Sequence, residues 1–313
     1  MKNIIYRAKY KYADKLRLKK PVDVLMELSS MCNQKCVYCY HNSNDLPFTR
    51  GYMSFETAVK IIDCAAATGV HSLKFNWRGE STLNPYFSEI LRYAKSKARG
   101  MTFIDRVSNS NFIFPKIKRD KILKALCCQT KVKVSFDTFD SEVFSKQRGN
   151  RSDWATAYQN IDDFYRIYNR ESTELVIQAV KTKLNEHEDI ESKLKKIWPD
   201  ATLSIRDMVD GRVNNDNELS TKERDVSERK PCLQAFARII FDHKGRAYPC
   251  CPDIESKLHL GDIHTMSIHE IWNSSRYRQL RNNLQTGLAF NNEPCKSCSS
   301  FESYKGYRHG WKS

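Results

Sequence analysis

From Val22 to about Arg212 the chain alternates short apolar runs with amphipathic stretches about six times, and this periodicity constrains the fold more than any other feature of its 313 residues. Val24–Leu28, Ser72–Trp77, Met101–Val107, Lys131–Phe136, Leu175–Val180 and Leu203–Arg206 read as strands. Between the first two, Ala58, Ile61, Ile62, Ala65 and Ala66 recur at helical spacing. Ser54 stands where an N-cap would and Gly69 where a left-handed helix end would. Tyr86–Lys97, Asp120–Leu126, Trp154–Tyr168 and the stretch around Ile190–Ile197 read as further helices. Such alternation predicts an α/β fold with parallel strands and helical crossovers. In barrels of this kind, sites collect beyond the C-terminal ends of the strands.

Beyond the first strand stands Met31-Cys-Asn-Gln-Lys-Cys-Val-Tyr-Cys-Tyr40, which places Cys32, Cys36 and Cys39 in a C-x3-C-x2-C spacing. Three thiolates hold three corners of a [4Fe–4S] cubane and leave the fourth iron open. A structural zinc site would want a fourth protein ligand, and no further cysteine follows closely on Cys39. The chain has 11 cysteines, an odd number, and no secretion signal. Metal ligation in a reducing cytoplasm is therefore expected rather than a disulfide framework. No run of apolar residues is long enough to predict a membrane span.

The cysteine run, with Tyr38 just before its third Cys, resembles that of the radical S-adenosylmethionine (radical SAM) enzymes. The resemblance implies a partial (β/α)6, TIM-like barrel. It also implies that the amine and carboxylate of S-adenosylmethionine chelate the open iron. One electron, from a small donor such as flavodoxin or ferredoxin, then cleaves the cofactor to a 5′-deoxyadenosyl radical that abstracts hydrogen from the substrate. Gly79 and Glu80, in Trp77-Arg-Gly-Glu-Ser81, resemble the family's G-G-E-P element, which holds the cofactor's amino group; Arg78 and Ser81 depart from it. Ser108 and Asn109, in Val107-Ser-Asn-Ser-Asn111, resemble its Thr-Asn-Gly stretch. Ser135 and Asp137 resemble an S-x-D motif near the cofactor's ribose or carboxylate, and Arg148 follows as in many relatives. Taken singly, such residues at strand ends also serve turns.

A second set of cysteines lies beyond a polar stretch. Cys232 and Cys250 are separated by twelve residues, Gly245 and four more, and a hairpin turning at Asp242-His-Lys-Gly245 would bring them to one side. A helix at Ser267–Leu284 precedes Cys295 and Cys298. Four thiolates suit a fully ligated cluster or zinc. The set resembles the SPASM and twitch extensions of radical SAM enzymes. The likeness includes Tyr248-Pro-Cys-Cys-Pro-Asp253, Leu260-Gly-Asp-Ile263 and Ile268-His-Glu-Ile-Trp272. With no cysteine after Cys298, one auxiliary [4Fe–4S] cluster is expected. The spacing after Gly245 ends on Cys250 as the ligand. Cys251 is then either a spare buried thiol or a hydrogen donor to a substrate radical. Cys64, Cys127 and Cys128 read as packing residues. The expected division is a basic segment (1–21), a barrel (22–212), a polar linker (213–230) and a small Cys-rich hairpin-and-helix iron–sulfur domain (231–313).

The net charge is +15, and residues 1–21 carry eight Lys or Arg against Asp14 alone. Basic and aromatic residues mix again in Tyr304–Lys312. Either these ends are solvated, or they flank a mouth that takes an anionic partner such as a nucleotide, a phosphorylated sugar or a nucleic acid. Family resemblance also admits a peptide substrate, but only about twenty residues stand before the first strand, so no peptide-recognition domain is expected there. The expected activity is radical SAM chemistry. It ends in oxidation assisted by the auxiliary cluster, or in epimerisation or isomerisation with Cys251 returning hydrogen. The reading from another class is a non-catalytic iron–sulfur or zinc protein that binds nucleic acid; the Gly79-Glu80 element counts against it.

Overall fold

The computed structural model describes residues 8–9, 11–42, 45–100, 102–114, 116–149, 152–208, 219–221 and 231–298. The polar linker lies largely outside these residues, and the basic C-terminal stretch lies wholly outside them. In chain order come α1 (Ala13–Leu16), β1 (Asp23–Met26), α2 (Phe55–Thr68), β2 (Ser72–Phe75), α3 (Phe87–Ser96), β3 (Asp105–Ser110), α4 (Arg119–Leu126) and β4 (Lys131–Ser135). Then follow α5 (Ser141–Arg148), α6 (Trp154–Ile167), β5 (Glu174–Lys181), α7 (Ile190–Ile197) and β6 (Thr202–Asp207). The C-terminal part adds α8 (Gln234–Ala237), β7 (Arg238–Phe241), β8 (Arg246–Tyr248), β9 (Gly261–Asp262), α9 (Ile268–Trp272) and α10 (Ser275–Thr286).

Strands β1 to β6 pair in sequence order, all parallel, in an open sheet. The helices form for local reasons that the sequence announces. Ser54 caps α2 by accepting from Thr57 N, and Gly69 ends it at φ 69° with its N–H on the Ala65 and Ala66 carbonyls. Strand alternation divides the sheet into two unlike faces. Val24 and Met26, Leu73 and Phe75, Val132 and Val134, and Leu175 and Ile177 all join the core. The opposite, inner face carries Lys74, Asn109, Lys133, Ser135, Gln178, Ser204 and Arg206, which share strand register across β2 to β6.

Three expectations are corrected. The third strand is Asp105–Ser110, not Met101–Val107. Phe103 takes a positive φ of 52° in a turn that drops its ring into the core, and the strand that follows is mostly polar on both of its faces. The Cys-rich hairpin-and-helix part is present at the C-terminal end and shares the barrel's sheet. β7 pairs parallel with β1, so the hairpin β7–β8 and then β9 extend the barrel sheet. The single helix expected at Ser267–Leu284 is two, because Ser274 is extended and caps a new helix by accepting from Tyr277 N.

The third correction concerns the basic N-terminus. Its described part packs at the N-terminal end of the strands, away from the cysteine loop. Lys20 Nζ donates to the carbonyls of Thr68 and Gly69, and the Leu18 carbonyl accepts from Trp272 Nε1 at 2.8 Å. This segment enters β1 from below, so it does not flank a mouth above the strands. Among the described residues no helix is long and apolar enough to cross a membrane.

Candidate active site

The loop after β1 carries Cys32, Cys36 and Cys39 and is held by backbone from two other units. Lys35 N and Val37 N donate to the carbonyls of Arg148 and Gln147 at the end of α5, and Cys39 N donates to Cys36 O. Glu80 N donates to Met31 O at 2.8 Å. Gly79 is required here. A Cβ at that position would run into the Met31 and Ser29 carbonyl oxygens and lie 2.8 Å from the Ser30 carbonyl carbon. The Gly79-Glu80 backbone is thus pressed against the cysteine loop.

Burial raises all three thiols, Cys39 to about 12. Cys32 is electrostatically coupled to Cys36, Cys39 and Glu80, while the Arg148 guanidinium offsets part of the effect at Cys36. Three thiols in one loop suit a cluster, whose irons each take a separate thiolate.

A buried polar network supports this loop. Asp137 Oδ2 accepts from the Tyr38 phenol at 2.5 Å and from Arg148 Nε at 2.8 Å, and Asp137 Oδ1 accepts from Val180 N. Arg148 Nη1 donates to Gln34 Oε1, and Gln34 Nε2 donates to Ser152 Oγ. Burial works against the charge on Arg148, but Asp137, Tyr38 and Cys36 keep it protonated. The aromatic residue before the third cysteine is therefore a tether. Asp137 and Arg148 are occupied within the protein, fixing the loop.

Glu80 is similarly engaged. Its Oε1 accepts from Thr82 N and Thr82 Oγ1, and its Oε2 accepts from Asn111 N at 2.8 Å. Burial raises this carboxyl, against the pull of those hydrogen bonds. Glu80 thus ties the end of β2 to the end of β3, and Asn111 continues the tie through Nδ2 to Asn33 Oδ1 in the cysteine loop. Asn111, Gln34 and Asn33 went unnoticed in the sequence, where isolated amides carry no signal.

Ser108 and Asn109 part company. Ser108 is in register with Phe75 and Val132 on the helix-facing side, so it does not reach the inner face as expected. Adjacent strand residues point to opposite faces, and only Asn109 faces inward. Its Oδ1 is buried without a partner. Ser135, at the end of β4, shares the inner face with Gln178.

The second cysteine set assembles across the hairpin. Cys250 is electrostatically coupled to Cys232, Cys295 and Cys298, and burial raises its thiol well above the ordinary range. Cys232 rises to about 11 for the same reason. Cys251 is held apart. Its N–H donates to Gln234 Oε1, its carbonyl accepts from Trp77 Nε1 at 2.9 Å, and its Sγ lies 3.6 Å from Arg238 Nη1.

Arg78, the apparent departure from the G-G-E-P pattern, joins the two regions. Its Nε and Nη2 donate to Glu27 at 2.7 and 2.8 Å, and its Nη1 donates to Ile254 O and Ser256 Oγ beyond the hairpin. Its own carbonyl accepts from the Tyr40 phenol and from His41 Nε2, both at 2.8 Å. The guanidinium lies over Trp77 and Phe48, at 4.0 and 4.6 Å from their ring centroids.

Comparison with known proteins agrees with this geometry. Residues 26–190 match the radical SAM superfamily, and residues 232–299 match an iron–sulfur cluster-binding domain, SPASM. Over 141 residues the chain is 28% identical to the antilisterial bacteriocin subtilosin biosynthesis protein AlbA of Bacillus subtilis, covering 45% of this chain and 30% of that protein. Over 79 residues it is 35% identical to Fe-coproporphyrin III synthase of Methanosarcina barkeri, covering 25% of this chain and 19% of that one. The matches thus span less than a third of either curated relative. Among solved structures, anSMEcpe with bound AdoMet superposes with a TM-score of 0.63 at 19% identity, covering 90% of this chain and 87% of that one. Streptococcus suis SuiB bound to precursor peptide SuiA gives 0.60 at 14% identity, covering 96% and 74%. These structural likenesses speak for the fold: a partial barrel with a Cys-rich C-terminal extension. On the match over residues 26–190, the chain belongs to the radical SAM superfamily, and its C-terminal part is a SPASM iron–sulfur cluster-binding domain.

Proposed function

We propose that this chain is a radical SAM enzyme that acts on an anionic substrate held against the inner face of its sheet. Cys32, Cys36 and Cys39 hold the [4Fe–4S] cluster that binds S-adenosylmethionine, and Cys232, Cys250, Cys295 and Cys298 hold one auxiliary cluster. The observation that carries this reading is the placement of a coupled thiol trio beyond β1, beside an inner wall on which Asn109 Oδ1 is buried without a partner. Bound together, the cluster and S-adenosylmethionine supply reductive cleavage to a 5′-deoxyadenosyl radical and hydrogen-atom abstraction.

The chain's own residues prepare that chemistry. Tyr38, Asp137 and Arg148 fix the cysteine loop from one side, and Gly79 and Glu80 press on it from the other. Asn109 and Ser135 offer polar atoms to the cofactor from the inner face. Outside the loop, a cleft of about 560 Å³ is lined by Cys32, Lys35, Arg50 and Lys146. Its positive rim suits an acidic electron donor such as flavodoxin or ferredoxin.

The test is anaerobic reconstitution followed by dithionite and S-adenosylmethionine. Two cubanes predict about eight irons per chain, and cleavage predicts 5′-deoxyadenosine. Full iron with no nucleoside would favour a non-catalytic iron–sulfur protein. A second reading, isomerisation with Cys251 returning hydrogen, rests on that thiol standing beside Arg238, an inner-face residue of β7 in register with Asp23. Unchanged turnover and product stereochemistry in Cys251→Ala would remove it and leave oxidation.

A further inference from the structure

Most charged groups on the inner face are answered locally. Lys74 pairs with Asp23 at 2.5 Å, and Lys131 pairs with Glu174 at 2.7 Å. Arg148 takes Asp137, as above. Two cations remain. Among the described residues neither Lys133 on β4 nor Arg206 on β6 has an ion pair or a side-chain hydrogen bond, although both face inward. Beside Lys133, in register, stand Asn109 on β3 and Val176 on β5, neither of which carries a charge to answer it. Lys133 is half-buried and Arg206 is exposed at the end of the same wall. A cation drawn into the wall with no anion beside it is costly to leave bare, so it marks a place for an anionic ligand.

We propose that Lys133 and Arg206 form the subsite for a phosphoryl dianion of the substrate. The charge count selects the class. Two unopposed cations are neutralised by one dianion, and a single carboxylate would leave one of them over. This inference rests on the proposed radical chemistry only in taking the inner face as the substrate's place.

The environment of Lys133 makes the subsite pH-sensitive. Burial first, then repulsion from Arg206, Lys74 and Lys131, lowers Lys133 to about 7, with Glu174 opposing weakly. An empty site therefore holds Lys133 partly neutral at physiological pH, and a bound dianion draws the proton back. Anion affinity is full below pH 7 and falls above it.

Sulfate is the probe, because it stays a dianion throughout this range. Calorimetric titration of the reconstituted holoenzyme at constant ionic strength should show binding that weakens about tenfold between pH 6 and pH 8, as follows for a lysine at about 7 whose bound form stays protonated. Acetate should bind at least tenfold more weakly. Lys133→Met should lose at least tenfold in affinity at pH 6, and its pH dependence should vanish. Lys133→Arg, which is always charged, should keep the affinity and lose only the pH dependence. Arg206→Gln should weaken sulfate and move the pH dependence to higher pH, because a charge that repels the Lys133 ammonium is gone. Circular dichroism shows whether each variant is folded, and if Lys133→Met is not, the Lys133→Arg comparison decides. Equal binding of sulfate by wild type and Lys133→Met, equal binding of acetate and sulfate, or a pH slope that survives in Lys133→Arg would each overturn the subsite. Assay of 5′-deoxyadenosine on the same wild-type preparation separates the two proposals. Nucleoside without sulfate binding removes the subsite alone, and sulfate binding without nucleoside removes the radical reading alone.

Discussion

Replacing Arg78 by Met removes a side chain that joins the end of β1 to the Cys-rich extension. Arg78 and Glu27 are 1% and 0% exposed at their side chains, so the pair is fully enclosed. Deleting one member of such a pair strands the other and costs about 3–5 kcal/mol. For a chain of this size that lowers the unfolding midpoint by roughly 6–20 °C. Methionine keeps most of the volume, so the loss is chiefly electrostatic. The sign with pH follows from Glu27. Burial pushes its carboxyl up, yet hydrogen bonds and charge from His243 and Arg78 bring it below its usual value. In the wild type this contribution is present above the unfolded carboxylate pKa of about 4.3 and is lost only as pH falls through the lower folded value. Without Arg78, His243 alone opposes burial, and Glu27 shifts toward its protonated form. The variant should then be more stable at pH 5.5 than at 7.5, whereas the wild-type pair contributes equally at both. The double variant Glu27→Gln, Arg78→Met carries no stranded charge and should recover about 1–3 kcal/mol of the loss. Thermal unfolding of the reconstituted protein, followed by circular dichroism at both pH values, measures all three. A midpoint for Arg78→Met within about 2 °C of wild type, or a double variant worse than the single one, would refute the assignment of this pair.

Gly79→Ala forces a methyl group onto the backbone of residues 29–31, so the cysteine loop must move; iron content per chain should fall by half or more, with a stability loss of about 1–3 kcal/mol. Normal iron content and normal S-adenosylmethionine cleavage would show that the approach is not tight. Tyr38→Phe removes the phenol from Asp137 and should cost about 1–2 kcal/mol, with faster cluster loss on exposure to chelator as its specific readout. Cys250→Ala should abolish the auxiliary cluster's electron paramagnetic resonance signal while Cys251→Ala retains it, since Cys250 is the one coupled to Cys232, Cys295 and Cys298. The opposite pattern would exchange their roles.

Local chemistry was legible in the residues themselves. The strand–helix alternation, the Ser54 and Gly69 helix ends, the cysteine spacings and the Asp242–Gly245 turn are short-range features, and each determines its surroundings within a few residues. What the sequence could not carry is how distant groups share one environment. Ser108 and Asn109 are neighbours in the chain, yet strand register sends one to the core and the other to the inner wall. Arg78 reads as a lapse from a pattern, yet Glu27, Ser256, Tyr40 and His41 converge on it from three separate segments. Asp137 and Arg148 become a tether for Tyr38, and Lys133 an unanswered cation, only through partners tens of residues away. Spacing along the chain determines which atoms a loop offers. Burial and long-range pairing, which depend on the whole fold, decide which of those atoms are already taken and which still face a ligand.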